Sequence, residues 1–217
     1  MERNLRSLVK SIFSEKTCRS IGSTYWRLWD LWHGVETSRL AEISSLSVVG
    51  DNRANGSRYE PSGSIRPLLE GLQIDFRQYG FVDYGSGKGR VLLEASEFPF
   101  SLVEGVEFSP QLHEIATRNI RKCRWKRKRC ASVKSVLADA TEFALPAIPL
   151  VLFFFNPFRG PVLSAVVSNI RESAAVHPRD IVIIAAGSWM PQERIDAIPN
   201  LKMLSKQGYR TVYRLIP

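Results

Sequence analysis

The sequence predicts an α/β fold, with a doubly wound, mostly parallel sheet that ends in a C-terminal antiparallel hairpin. Short apolar runs typical of buried strands alternate with helical patterns in the second half of the chain. A glycine-rich turn follows the first of these runs, and two final runs, 201–206 and 211–216, are separated by a glycine-containing turn. At 217 residues the chain is long enough for one such domain with an N-terminal extension.

The turn after the first run is the most informative segment. Residues 80–82 lead into Asp83, and three glycines then occupy alternate positions before a helical pattern. These glycines are Gly85, Gly87 and Gly89. Because glycine has no Cβ, the backbone of this turn can approach a ligand closely. A strand, a glycine turn and a helix in this order form the nucleotide-binding corner of an open α/β sheet.

The glycine spacing distinguishes between nucleotide-binding loops. The dinucleotide fingerprint G-x-G-x-x-G needs a glycine where the chain has Arg90, which argues against an oxidoreductase. The phosphate loop G-x-x-x-x-G-K-[ST] needs a glycine at Val82 and a hydroxyl residue at Gly89. The remaining pattern, D-x-G-x-G-x-G, resembles motif I of the class I S-adenosylmethionine-dependent methyltransferases. Lys88 and Arg90 are unusual cations in this turn, placed either at the cofactor carboxylate or on the helix surface.

Polar residues also mark the ends of the next three strands. The second strand ends at Glu107, 24 residues after Asp83. The third strand is followed by Asp139 and the fourth by Asn156. Since the carboxyl ends of parallel strands meet at one edge, we expect these four polar groups in one ligand crevice.

Helices and further strands complete the pattern. Ser109 and Pro110 predict a helix start, with a hydroxyl N-cap and a proline at the first helical position. We expect strands at 101–107, 133–137, 150–155 and 181–186, and a helix at 161–174. Seven strands with a terminal hairpin form the usual sheet of the class I methyltransferases, so the resemblance covers residues 59–217.

The resemblance implies S-adenosylmethionine as the cofactor, together with a set of binding residues. Asp83 and the glycines would hold its amino-acid end, Glu107 its ribose and Asp139 its adenine. An ionised carboxylate can accept hydrogen bonds from both ribose hydroxyls. The residues expected at the cofactor are Tyr59, Glu60, Asp83, Gly85, Ser86, Gly87, Gly89, Glu107, Asp139 and Ala140.

A second resemblance begins before the first strand, where residues 58–62 read Arg-Tyr-Glu-Pro-Ser. This string, followed by 81–87 and 105–107, resembles the order found in the non-SET histone-lysine methyltransferases and in uncharacterised bacterial methyltransferases. In the histone-lysine family, the Tyr-Glu-Pro loop closes over the methionine end of the cofactor, which would make Tyr59 and Glu60 pocket residues. A helix-capping turn is the alternative interpretation.

The catalytic candidates are Asn156, Pro157 and Phe158, which resemble the [DNS]-P-P-[YFW] motif of amino-directed methyltransferases with one proline missing. An asparagine oxygen can accept a hydrogen bond from an amine, and Phe158 can stack on a base or form the wall of a lysine channel. Methyl transfer from a sulfonium is an in-line displacement, so alignment and water exclusion are what the protein mainly supplies. Glu36 or Glu60 is a candidate base. A simple strand-ending turn is the alternative.

The expected reaction is methyl transfer to a nitrogen, on a protein amine such as lysine or on a small amine. An RNA or DNA base is the alternative acceptor, although the missing proline argues against it. A different hypothesis is a catalytically silent protein of the same fold that binds nucleic acid through residues 121–129.

Positive charge is concentrated in that same segment. The formal net charge is +9, and residues 121–129 carry seven of the positive charges. A basic cluster with an aromatic residue inside it can hold phosphates and stack a base. The cluster lies at the far end of the helix that begins at Ser109, roughly 25 Å from its start. The cluster is expected either to contact nucleic acid or an acidic protein surface, or to be a solvated part of the surface.

Residues 1–57 are predicted to form a helical cover on a methyltransferase domain of residues 58–217. Residues 1–15 are amphipathic, as expected of a cover helix, with a membrane-surface or partner helix as the alternative. Three of the five tryptophans fall within residues 25–32 on one helical face, which favours packing over a substrate lid. Residues 50–57 are polar and contain glycine, as expected of a linker or lid.

Composition argues against several other classes. No run of about 18 apolar residues and no signal-peptide pattern is present, so no membrane span is expected. The three cysteines have no metal-ligand spacing, and their odd number argues against a disulfide framework. We therefore expect a cytoplasmic protein with no metal site.

Overall fold

The computed structural model describes residues 15–42, 46–49, 58–124, 127–187 and 200–215. The predicted amphipathic segment 1–15 lies outside these residues except for Glu15, and the predicted linker 50–57 lies outside them entirely. The boundary predicted between residues 57 and 58 stays a prediction.

The described residues before the main sheet include one long helix and a small ribbon. Helix α1 spans Glu15–His33. Strands β1, Ala41–Glu42, and β2, Arg58–Tyr59, then pair antiparallel. A short helix α2, Arg66–Glu70, and a 3₁₀ turn, Phe76–Gln78, lead into the main sheet.

Seven strands form the main sheet. They are β3, Gly80–Tyr84; β4, Leu102–Glu107; β5, Val133–Leu137; β6, Leu150–Phe155; β7, Ile181–Ala186; β8, Leu201–Gln207; and β9, Arg210–Leu215. Their order across the sheet is β5-β4-β3-β6-β7-β9-β8. The first five run parallel, whereas β9 is antiparallel to both β7 and β8. The predicted mostly parallel sheet with a terminal hairpin is confirmed.

Three helices connect the parallel strands: α3, Arg90–Ala95; α4, Pro110–Lys122; and α5, Gly160–Val176. Helix α4 begins as predicted, because Ser109 Oγ accepts a hydrogen bond from the Leu112 N–H at 3.4 Å and a proline follows it. Helix α5 begins one residue earlier and ends two residues later than the predicted 161–174.

Alternate residues of the central strands pack into two separate cores. On one face Val82 packs with residues of α5 such as Leu163. On the other face Phe81 and Phe153 pack with residues of α3 such as Leu92. Burial on both faces explains why these strands are almost continuously apolar, as is typical of a doubly wound sheet.

Two predicted absences can be compared with the described residues. No helix in this part of the chain is long and apolar enough to cross a membrane. Within the same residues, no cluster of three or more His, Cys, Asp or Glu could hold a metal ion. The cytoplasmic location stays a prediction.

Candidate active site at the carboxyl edge of the sheet

The candidate site lies where the chain reverses its direction across the sheet. From β3 the chain adds β4 and β5 on one side, then returns to place β6 on the other side of β3. Ligands of open α/β sheets bind outside the carboxyl ends of the strands at such a point. The polar residues predicted for this edge occupy four neighbouring strand ends: Asp83 of β3, Glu107 of β4, Asp139 after β5 and Asn156 after β6.

All three glycines of the turn adopt left-handed backbone conformations. The φ angles are 75°, 54° and 81° for Gly85, Gly87 and Gly89, a region that side chains disfavour. A Cβ on Gly87 would lie 2.2 Å from Cε2 of Tyr59, and a Cβ on Gly85 would lie 2.8 Å from Cβ of Pro157. Glycine is therefore needed here for conformation and for space, because Tyr59 and Pro157 lie directly on the turn.

The Glu107 carboxylate is held by backbone N–H groups from two elements. Its Oε2 accepts from the Gly87 N–H at 2.7 Å, and its Oε1 accepts from the Ser109 N–H at 2.9 Å. Glu107 is only 3% exposed, and this burial raises its pKa to about 7, although the backbone hydrogen bonds act in the opposite direction. Each carboxylate oxygen can still accept another hydrogen bond, so Glu107 can bind two hydroxyl groups at once.

Asp83 lies close to Glu107 and is equally buried. Burial, followed by the charge of Glu107, raises the pKa of Asp83 well above its usual value. Among the described residues no lysine or arginine forms an ion pair with either carboxylate. Because buried carboxylates without a cation are costly, this pair suits a ligand that carries an ammonium group and hydroxyls. S-adenosylmethionine carries both, so the acceptors present fit it.

The other residues predicted for the cofactor lie along the same edge. Ser86 Oγ is buried and has no hydrogen-bond partner among the described residues. Asp139 Oδ1 accepts from the backbone N–H and the hydroxyl of Thr141, at 2.9 and 2.7 Å, and so caps its own turn. Ala140 packs against the core. The adenine contact expected of Asp139 stays a prediction.

Tyr59 is fixed in place by the N-terminal segment. Its hydroxyl donates to the carbonyl oxygen of Thr37 at 2.8 Å, and burial raises the pKa of the phenol. The Thr37 hydroxyl donates to Asp30 Oδ1 at 2.6 Å and accepts from Arg90 Nε at 2.8 Å. A continuous chain of hydrogen bonds therefore joins α1 to the first residue of α3, directly after the glycine turn.

Sequence reasoning missed this network. Asp30 and Thr37 belong to no motif, and the only signal was an acid within a tryptophan-rich run of helix. Asn119 was also missed: its amide accepts from the Glu36 N–H at 3.0 Å and donates to the carbonyl oxygens of Glu36 and Lys88, both at 2.9 Å. These partners are distant in sequence, so no local pattern could indicate them.

The two cations of the turn are buried, which corrects the expectation of a helix-surface position. Lys88 and Arg90 are 3% and 2% exposed. Lys88 Nζ pairs with Glu36 Oε1 at 2.7 Å, and the Arg90 guanidinium lies 4.1 Å from the ring centre of Trp26. Both side chains are thus engaged with the N-terminal segment. Glu36, one of the two candidate bases, is held in this ion pair.

A cavity of about 290 Å³ opens beside Asn156. Asn156 has a φ angle of 47°, unusual for a residue with a side chain, and its Oδ1 is buried without a hydrogen-bond partner among the described residues. Gly187 makes room for it, since a Cβ there would lie 1.9 Å from Asn156 Oδ1. The cavity is also lined by Glu60, Ser62 and Arg210 and by the aromatic rings of Phe153 and Phe155.

The structure separates the three catalytic candidates. Asn156 lines the cavity, whereas Pro157 lies on Gly85. Phe158 is buried in the core, edge-on to Tyr84 and Phe154 with ring centres 6.2 and 6.1 Å away. The expectation that Phe158 stacks on an acceptor is not met in this arrangement, because its ring packs inside the apolar core instead.

Comparison with known proteins supports the fold. No protein-family model matches the chain, and no curated protein matches it. A SAM-dependent methyltransferase from Methanosarcina mazei matches with a TM-score of 0.50 and 9% identity, over 69% of this chain and 97% of that one. A mutant of MtNAS in complex with S-adenosylmethionine matches with a TM-score of 0.50 and 14% identity, over 70% and 62%. An RNA methyltransferase from Salinibacter ruber in complex with S-adenosyl-L-homocysteine has a TM-score of 0.41 and 19% identity, over 71% and 91%.

At such identities the two matches at 0.50 show the fold alone. The chain has the class I methyltransferase fold, as the sequence predicted. The resemblance to the histone-lysine methyltransferases stays a prediction.

Proposed function

We propose that this chain is an S-adenosylmethionine-dependent methyltransferase that acts on a nitrogen. The observation that carries the proposal is the buried pair Asp83 and Glu107, which lies beside a left-handed glycine turn and has no cation of the described chain to neutralise it. The fold places this pair at the edge where open α/β sheets bind nucleotides.

The roles of the cofactor residues follow from their groups. Glu107 accepts hydrogen bonds from the ribose hydroxyls, and Asp83 accepts hydrogen bonds from the ammonium group. The glycine turn allows the backbone to approach the cofactor closely. Tyr59 lies on Gly87 and excludes water from the turn. The cofactor supplies a methyl group on a positively charged sulfur, which needs no further activation by the protein.

Asn156 is the residue we assign to the acceptor. Its buried Oδ1 has no hydrogen-bond partner among the described residues and can accept an N–H from the acceptor, which orients the nitrogen lone pair. An unpaired buried oxygen costs about 1–3 kcal/mol, so a donor that enters the cavity removes that cost.

Glu60 is the better of the two candidate bases. It lines the same cavity as Asn156, and Glu36 does not line that cavity. A base is needed only if the acceptor enters as an ammonium ion, because that form has no lone pair. A neutral amine keeps its lone pair, so the new C–N bond forms as the S–C bond breaks, and the methylated nitrogen then releases its extra proton to water or to Glu60.

Calorimetric titration with S-adenosylhomocysteine tests the cofactor site. We expect a micromolar Kd for the unmodified chain, and a loss of about 10- to 100-fold in Glu107→Gln, since hydrogen bonds to a charged group are removed. Glu104→Gln is the matched control. Glu104 lies on the same strand and is also buried, but it pairs with Lys134 Nζ at a distance of 2.9 Å and is not one of the residues of the site. Tighter binding of NAD, or equal affinities of the two variants, would contradict the proposal.

A further inference from the structure

The fold brings together the tryptophan-rich segment 25–32 and the basic cluster 121–129, which are about ninety residues apart in sequence. A groove of about 780 Å³ lies between α1 and the residues that follow α4. Its aromatic side is formed by Trp26, Trp29 and Trp32, and its basic side by Arg124 and Arg127. We call it the tryptophan–arginine groove. Residues 125–126 of the basic cluster lie outside the described part of the chain.

The three tryptophans have different surroundings. Trp26 lies edge-on to Trp29 with ring centres 6.1 Å apart, and Trp29 stacks on His33 at 4.0 Å. Trp32 is 69% exposed at the groove. Of the two predictions for this segment, packing describes Trp26 and Trp29, which are half-buried, whereas Trp32 is mostly exposed. An exposed indole beside cations is what base stacking requires.

The groove is positive where it is open. Arg124 and Arg127 are both exposed. The three acids that line the groove have partners that also line it or lie beside it. Glu70 and Glu97 both pair with Arg66, and Glu94 Oε2 accepts from the Ser64 hydroxyl at 2.8 Å and from a backbone N–H. An anionic ligand would therefore meet the two arginines with little opposing charge.

The tryptophan–arginine groove adjoins the cavity beside Asn156. Arg210 lines both of them. A strip of consecutive residues separates them, with Ser62 and Ile65 on the cavity side and Ser64 and Arg66 on the groove side. A chain molecule bound in the groove would thus lie beside the acceptor cavity.

We propose that the tryptophan–arginine groove binds single-stranded nucleic acid, with phosphates at Arg124 and Arg127 and a base stacked on Trp32. Single strands fit better than duplexes because an unpaired base exposes its face to an aromatic ring. An acidic protein would use the arginines but would gain little from the indole. Binding in the groove stands by itself. Delivery of a base amino group to Asn156 rests on the proposed function.

Fluorescence anisotropy with labelled oligonucleotides of about 12 nucleotides tests the groove, a length within the range of known single-strand sites. RNA and DNA of one sequence serve as probes, each also as a duplex. We expect single strands to bind, and Arg124→Glu with Arg127→Glu to weaken binding by about tenfold or more and to reduce its salt dependence. Trp32→Ala should weaken binding by about fivefold or more.

Matched variants separate these effects from general ones. Leu31→Ala removes a neighbouring exposed apolar side chain of α1, and Arg171→Glu with Lys202→Glu changes the same charge on exposed residues that do not line the groove. Both controls should stay within about twofold of the unmodified chain. Thermal melting of every variant shows whether it is folded.

Three outcomes would overturn the proposal: tighter binding of the duplex, equal effects of Trp32→Ala and Leu31→Ala, or binding of labelled polyglutamate as tight as that of the single strand. Calorimetry with S-adenosylhomocysteine on the same preparations distinguishes the two proposals. Cofactor binding without oligonucleotide binding contradicts only the groove, and the reverse result contradicts only the methyltransferase assignment.

Discussion

The crevice at the glycine turn and the tryptophan–arginine groove are neighbouring regions, but their charges differ in sign and in burial. The crevice holds two buried carboxylates, Asp83 and Glu107, with no cationic partner among the described residues. The groove holds exposed cations, and its acids are already engaged. Between them lie Arg90 and Thr37, whose hydrogen bond joins α3 to the N-terminal segment.

This difference shows that the burial of a charged group indicates more about ligand binding than its residue type does. A solvated arginine costs little whether or not it binds anything, so its function needs a binding test. A buried carboxylate without a partner costs free energy in the folded state and shifts its pKa, so it already indicates a missing ligand. The crevice therefore makes the stronger predictions.

The largest effect should come from Gly87→Ala in the crevice. The new Cβ would lie 2.2 Å from Cε2 of Tyr59, and the residue would be held at a φ angle of 54°. We expect the free energy of unfolding to fall by about 3 kcal/mol, from the left-handed backbone and the displaced ring together, and binding of S-adenosylhomocysteine to be lost. Urea denaturation and calorimetry measure the two effects.

Gly208→Ala is the control for that backbone conformation. Gly208 has a φ angle of 58°, but nothing lies within 4 Å of a Cβ built there. The Gly208→Ala variant should lose only about 1–2 kcal/mol of its free energy of unfolding and should bind the cofactor as tightly as the unmodified chain. Equal losses for the two variants would mean that contact with Tyr59 contributes nothing at Gly87.

The next effect concerns the pH dependence of stability without ligand. The pKa of Glu107 is about 7 in the folded state, above the ordinary value of 4.5, so the folded chain binds more protons between these values. Stability must therefore fall as the pH rises through this window, by on the order of 3 kcal/mol in total. The raised pKa of Asp83 acts in the same direction.

Urea denaturation between about pH 5 and pH 8 measures this slope. Glu107→Gln should flatten the slope, and Glu104→Gln, which keeps the pair of Asp83 and Glu107, is the control. Cofactor affinity should change in the opposite direction and rise with pH, since only the ionised carboxylate accepts hydrogen bonds on both oxygens. Stability that rises with pH in the unmodified chain would contradict the assignment of a buried, partnerless carboxylate.

The smallest effect should come from the wall between the two regions. Thr37→Val keeps the shape of a fully buried side chain but removes its hydrogen bonds to Asp30 and Arg90. We expect a loss of about 2 kcal/mol in the free energy of unfolding, because Arg90 Nε is left without a partner. Thr141→Val removes a hydroxyl that donates to Asp139 at a half-buried site, and should cost about 1 kcal/mol or less.

Much of the fold could be predicted because the relevant signals are local. Apolar runs buried on both faces indicated the parallel strands, and the Ser109–Pro110 pair indicated the start of α4. The strand ends of Asp83, Glu107, Asp139 and Asn156 could be placed at one edge because parallel strands share a direction.

The rest of the site depended on contacts between distant residues. Phe158 lies two residues after Asn156, yet it packs in the core while Asn156 lines the cavity, since Asn156 itself adopts a positive φ angle that redirects the chain. Lys88 and Arg90 could not be placed because their partners, Glu36 and Thr37, lie more than fifty residues earlier.

The sequence by itself determined the order of strands and helices, the glycine turn and the set of polar strand ends, because periodicity and backbone preference act over a few residues. Only the tertiary structure decided which charges are buried, where Phe158 points and that the tryptophans of α1 meet the arginines after α4. Burial and long-range contact depend on how the elements pack, and no local pattern records that packing.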